Sequence, residues 1–264
     1  CIIWFDDCIV LYQLKGRDTS SIADYSSEEK WFINKVKKWA KQQVKKSVGL
    51  YDSADIITVK NLKGHKFDIK KGQIKKIYKI IIYKHETMIA IGLTHYCSRD
   101  VGFIHIFDSE DYRLACDVLD TPSEIFEYLE FREKLLSSNI LFNPLTEKNM
   151  LGAFIEFDNY DEFCAKVLSK SSDVVILLFD EVVDKLISDK NSYDINYILK
   201  TFEDKIYTKK SEPTSYYKIL VELSKMNRTE RRSFKERWEK CSEHVMTKNE
   251  FLFPYRMIAT TTNC

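Results

Sequence analysis

The chain predicts an α/β (α+β) fold: a mixed sheet with flanking helices in its first part, followed by a largely helical region. Three observations carry that expectation. Two apolar runs separated by a two-residue acidic turn open the chain at residues 1–12. A lysine-rich segment with apolar residues at helical spacing follows at 28–48, and β-branched runs then extend to residue 107. Beyond residue 110 the apolar positions recur mainly at helical intervals. With only four Pro and seven Gly in 264 residues, regular elements should outweigh loops. The division is drawn at 1–118 for the sheet-bearing core and 119–264 for a mainly helical accessory or interaction region.

The first strand, Cys1–Phe5, turns at Asp6-Asp7 and pairs with Cys8–Tyr12. A two-residue turn fixes the register: Phe5 opposite Cys8, Trp4 opposite Ile9, Ile3 opposite Val10, Ile2 opposite Leu11 and Cys1 opposite Tyr12. The second strand runs on into Gln13-Leu14-Lys15-Gly16-Arg17. Alternate side chains of a strand share a face, so Gln13 and Lys15 project together while Leu14 faces the core on the other side. A side-chain oxygen beside an ammonium is an arrangement that can hold a divalent cation and orient a water at a phosphodiester.

Thr19–Ser27 is polar and reads as a loop, with Ser26 or Ser27 as N-cap before Glu28-Glu29. The helix from Glu28 to Val48 sets Trp31, Phe32, Val36, Trp39, Ala40, Gln43 and Val44 on one face. Lys35, Lys37, Lys38, Lys41, Lys45 and Lys46 cover the rest, and Gly49 ends it. Gln43, on the apolar side, is either a helix-edge residue bonded to backbone or a polar contact to the site.

Strands are expected at Ile56–Lys60, at Lys75–Lys84 after a Gly72-Gln73 turn, at Met88–Thr94 and at Gly102–Phe107. His105 points opposite to Ile104 and Ile106; with Asp108 it is a candidate catalytic pair, or else a hydrogen-bonded core histidine. Thr121-Pro122-Ser123-Glu124 opens a helix to Leu136, with Thr121 and Glu124 spaced as a capping box. Phe154–Phe157 reads as a short strand and Glu162–Ser169 as a helix. Asp173–Phe179 leads into a helix at Glu181–Ser188, and helices follow at Asn196–Asp204, Tyr216–Met226 and Thr229–Met246. Arg228, Arg231, Arg232, Lys235 and Arg237 crowd the start of the last one, where the helix dipole disfavours cations. That placement points to a bound anion or acidic partner, or to pairing with Glu230, Glu236 and Glu239.

The net charge of +1 conceals an asymmetry. Residues 1–84 hold 18 Lys and Arg against 9 Asp and Glu, whereas residues 85–264 are net −8. A basic module joined to an acidic one suits a nucleic-acid-facing part attached to a protein-facing part; lysine inflation in an AT-rich genome gives the same numbers. The longest apolar runs, Ile77–Tyr83 and Val174–Phe179, are too short to span a bilayer and read as buried strands. Seven scattered Cys with no C-x-x-C pair argue for reduced thiols in the cytoplasm and against a zinc site. The chain lacks the glycine-rich phosphate loops, the G-x-S-x-G elbow and H-E-x-x-H. Phosphodiester hydrolysis is the enzyme class left standing.

The hairpin and Gln13-Leu14-Lys15 resemble the core of the PD-(D/E)xK restriction-endonuclease-like superfamily, with Gln for Glu as in its Mrr-type branch. The resemblance covers about residues 1–110. It implies a restriction-endonuclease-like sheet and an Mg²⁺- or Mn²⁺-dependent DNA endonuclease, in bacterial defence or restriction. It implies that Gln13 binds the metal together with an upstream Asp, and that Lys15 supports the attacking water. The helix after the motif strand is expected to bring a polar residue, here Gln43, towards the metal. Arg17, Lys38, Lys41 and Gln43 are then the candidate DNA contacts, with His105, Asp108, Arg231 and Arg232 as secondary candidates. The Asp expected opposite Gln13 would precede Cys1, so a fragment beginning inside the motif is expected, or a degenerate motif. The alternatives are an inactive nuclease-like module that binds DNA, RNA or a protein partner, and exposed edge-strand residues that merely discourage association. A protein partner or a second copy would meet the acidic helical region; no membrane partner is expected.

Overall fold

The computed structural model describes residues 1–17, 25–62, 64–85, 94–138, 141–143, 146–157, 159–167, 174–176, 179–205, 214 and 216–248. Its centre is a five-stranded mixed sheet in the order β1-β2-β5-β7-β6. The strands are β1 (Ile2–Phe5), β2 (Cys8–Gly16), β5 (Lys76–Lys84), β6 (His95–Ser98) and β7 (Gly102–Asp108). A separate hairpin pairs β3 (Ile56–Lys60) with β4 (Lys66–Lys70), and β8 (Leu141–Asn143) pairs in parallel with β9 (Val174–Ile176).

The opening hairpin has the register its turn dictates, from Phe5 opposite Cys8 to Ile2 opposite Leu11. Backbone hydrogen bonds between Cys1 and Tyr12 extend it by one more pair. Asp6 takes the left-handed conformation (φ 52°) that a tight hairpin turn needs. β2, β5 and β7 are parallel, so their C-terminal ends lie side by side.

One long helical stretch covers one face of the sheet. It consists of α1 (Tyr25–Trp31), a π-helical segment Phe32–Ala40 and α2 (Lys41–Ser53), with helical backbone across both junctions. Ser26 and Ser27 lie inside α1, so neither is its N-cap. Gly49 does not end the helix, which continues to Ser53. Phe32, Val36, Ala40 and Val44 are buried against Ile81, Tyr83, Ile104 and Ile106. Ile9 and Leu11 meet Tyr51 and Ile69 on the same side.

The opposite face is covered by α3 (Ser109–Val118), α4 (Pro122–Ser137), α5 (Glu147–Glu156), α6 (Tyr160–Lys166) and α7 (Asp180–Asp189). Val10, Tyr12, Tyr78, Ile80 and Phe107 share a core with Leu129, Leu135, Met150, Leu151 and Val183 from those helices. The cluster therefore runs across residue 118. α8 (Asn196–Lys205), α9 (Tyr216–Ser224) and α10 (Arg228–Lys248) complete the described chain. α9 reaches back to the opening hairpin, where Tyr217 stacks on Trp4 at 4.7 Å and accepts from the Asp6 N–H.

Several expected elements change. Phe154–Phe157 is not a strand: Phe154 to Glu156 belong to α5, whose N-cap Thr146 accepts from the Asn149 N–H. The strand expected at Met88–Thr94 falls almost wholly outside the described residues, as does most of the Thr19–Ser27 loop. β4, β6 and α3 were not expected. The start of α4 is as expected, with Pro122 in its first turn and Thr121 Oγ1 accepting from the Glu124 N–H.

Candidate functional site

The site grows from the end of β2. Ile9, Leu11, Gln13 and Lys15 alternate onto the face covered by the long helix, while Val10, Tyr12 and Leu14 take the other. Beyond Tyr12 the opposite layer no longer covers β2, so Leu14 is 65% exposed rather than in the core. Gln13 and Lys15 are half-buried, on the rim where the helix leaves the sheet.

Lys15 Nζ donates to Gln43 Oε1 at 2.6 Å. Gln43 is thus bonded neither to backbone nor into the apolar face; it is exposed and meets the motif lysine from across the helix. Burial, and then the charge of Lys35, hold the Lys15 ammonium below the usual lysine range. In register, Lys15 pairs with Tyr83 and Tyr83 with Asp108, one row across the ends of three parallel strands. Such C-terminal strand ends are where open α/β sheets bind ligands. The row places Asp108 about 10 Å from Lys15, two strand spacings away. Asp108 Oδ1 accepts from the Glu110 N–H as the N-cap of α3. Its charge and that of Asp111 add to burial in pushing the Tyr83 hydroxyl up to about 12.

Behind the shelf lies a cluster that the sequence did not signal. Glu28, in the first turn of α1, and His85, the residue after β5, are both buried and bonded to each other. Arg17, just past β2, closes the group with Nη2 3.1 Å from Glu28 Oε1. Arg17 is therefore drawn to a carboxylate of its own chain. Glu28 was legible only as a helix-start acid, and nothing near His85 in the sequence marks it.

The other candidates separate. His105 and Asp108 lie on opposite faces of β7 and do not form a pair. His105 is buried within the Arg132 network, its Nδ1 3.3 Å from Arg132 Nη1. Arginine only donates, so Nδ1 accepts. Burial, with the Arg132 charge next, holds this imidazole well below its usual range and so neutral. Lys41 donates to Tyr96 Oη at 2.7 Å and sits over that ring, and Lys38 is exposed. Arg231 is fully buried, 2.7 Å from Glu124 and 3.5 Å from Asp120. Arg232 meets Asp189 at 2.5 Å. The acidic partners of these two arginines are Asp120 and Glu124, around the start of α4, and Asp189 of α7, whereas Lys235 stands 4.0 Å from the expected Glu239 of its own helix.

Among the described residues no group of three or more His, Cys, Asp or Glu side chains is placed to hold a metal ion. Gln13 and Gln43 offer neutral amide oxygens, a poor set for a hard divalent cation. Both oxygens of Glu28 are engaged, by Arg17 and His85. The described shelf does not by itself fit Mg²⁺ or Mn²⁺. Among those residues there is also no helix long and apolar enough to cross a membrane. Compared with protein-family models, curated proteins and solved structures, the chain matches none.

Proposed function

We propose that this chain is a nuclease-like module that binds the phosphate backbone of DNA at the Gln13–Lys15–Gln43 shelf. The observation that carries the reading is the Lys15–Gln43 hydrogen bond, which joins the motif strand to the lysine-rich helix. A cation at the mouth of parallel strands, flanked by exposed lysines, is an electrostatic seat for phosphates. The net +9 of residues 1–84 supports the same partner.

A second reading, metal-dependent cleavage of DNA, has its own support. Gln13 and Lys15 share a face, and the depressed Lys15 ammonium is closer to a proton-transferring group than an ordinary surface lysine. It needs a metal site that the described shelf does not complete.

One experiment separates them. The protein and its Lys15→Ala variant are incubated with plasmid and single-stranded DNA, with Mn²⁺ or with EDTA. Retention of DNA at low salt without cutting is the expected result for the binding module. Cleavage that requires both Mn²⁺ and Lys15 would replace it with the nuclease. Neither cutting nor retention would remove nucleic acid as the partner.

A further inference from the structure

The sequence puts Trp39 on the apolar face of the long helix, yet the structure turns it out. Phe32, Val36 and Ala40 are buried, whereas Trp39 is 55% exposed. The π-helical segment explains the change: its i→i+5 bonding puts more residues in each turn, so strict four-residue spacing follows one face. Phe32, Val36, Ala40 and Val44 keep that spacing and Trp39 does not.

What surrounds the indole is informative. A single exposed aromatic is ordinary. Here Lys35 Nζ stands 3.9 Å from the Trp39 ring centroid. Lys35 is also close enough to act electrostatically on Lys15. Gln43, the partner of Lys15, lies four residues past Trp39, as Lys35 lies four before it, so the three form one stripe of the helix. The stripe joins a phosphate-seeking ammonium, a second lysine, an amide and an open aromatic face.

We propose that Trp39 is a stacking platform for an unpaired base, so that the shelf takes single-stranded nucleic acid, with Lys15 on the adjoining phosphate. The inference rests on the backbone-binding reading above and narrows its substrate class. Alternating stacking faces and cations is how proteins hold single strands without reading sequence. In a duplex both faces of each base are already stacked, and an indole on the outside has nothing to meet. Lys35, now over the ring, is free in geometry to swing to a phosphate as a base replaces it.

The test is fluorescence anisotropy with the full chain, using a labelled oligo-dT and a duplex of equal length at low salt. The account predicts tighter binding of oligo-dT, with quenching of tryptophan fluorescence. Trp39→Ala should weaken oligo-dT by roughly tenfold or more and leave the duplex unchanged. Trp39→Leu, which keeps apolar bulk without an aromatic face, should lose as much, and Trp39→Phe should retain most of the affinity. If Trp39→Ala and Trp39→Leu bind oligo-dT as the wild type does while Lys15→Ala weakens both nucleic acids, Trp39 is no platform and the backbone reading stands. If neither nucleic acid is retained, both fall.

Discussion

Arg132 shows how much of this protein rests on single buried charges. Its guanidinium is fully buried, donates to both oxygens of Glu147 at 3.0–3.1 Å, and reaches the carbonyls of Thr94 and Ile106. It also lies 4.0 Å from the Phe107 ring. Removing one partner strands the other charge in the core. Arg132→Met should cost about 3–5 kcal/mol, read as a large fall in the denaturant midpoint. Asp111 is the opposite case. Burial and the charges of Glu147 and Asp108 raise its carboxyl from 3.8 to about 6. A carboxyl raised on folding contributes its stability below the unfolded value, and that contribution is lost as pH rises through the folded one. Asp111→Asn should therefore gain on the wild type between about pH 4 and 7, by on the order of 1 kcal/mol. Parallel pH–stability curves would refute the assignment. At this scale strand alternation, which is local, placed Gln13 and Lys15 on one face, whereas helix spacing put Gln43 on the apolar side and the structure has it exposed against Lys15. The sequence hid the Glu28–His85 pair, since residues 57 apart meet only when α1 docks on β5.

Elements divide along the same line. The hairpin register was legible because a two-residue turn leaves no freedom in pairing. The long helix was legible from its lysines and apolar spacing, but its π-helical segment was not, and with it went the placing of Trp39. The end of α5 is not legible as helix because a short apolar run such as Phe154–Phe157 has no decisive period. Its helical state is held by tertiary packing. A Cβ on Gly152 would fall on the backbone carbonyl and Cβ of Phe179, at the start of α7. Gly152→Ala should therefore destabilise by about 1–3 kcal/mol or more, measured by urea unfolding. Gly49 is the contrast: it sits inside α2 with nothing near its would-be Cβ. Gly49→Ala should stabilise by about 0.5–1 kcal/mol. A loss of stability there would mean that the helix does end at Gly49.

At the scale of the molecule, two helical layers enclose one sheet, and the cluster shared by β2, β5, β7 and α3–α7 joins the basic first part to the acidic remainder. The opposite charges therefore belong to packed neighbours, and within the acidic remainder Arg231 and Arg232 pair with Glu124 and Asp189. What is left outward on the other side is the lysine-covered helix and the shelf at the strand ends. The central claim is that Lys15, on that shelf, holds a phosphate. The most direct measurement is DNA affinity as a function of salt concentration, for the wild type and Lys15→Ala. The account predicts a linear fall of log affinity with log salt, and a slope shallower by about one in the variant. Binding that ignores salt, or a slope and affinity unaltered by Lys15→Ala, would contradict it.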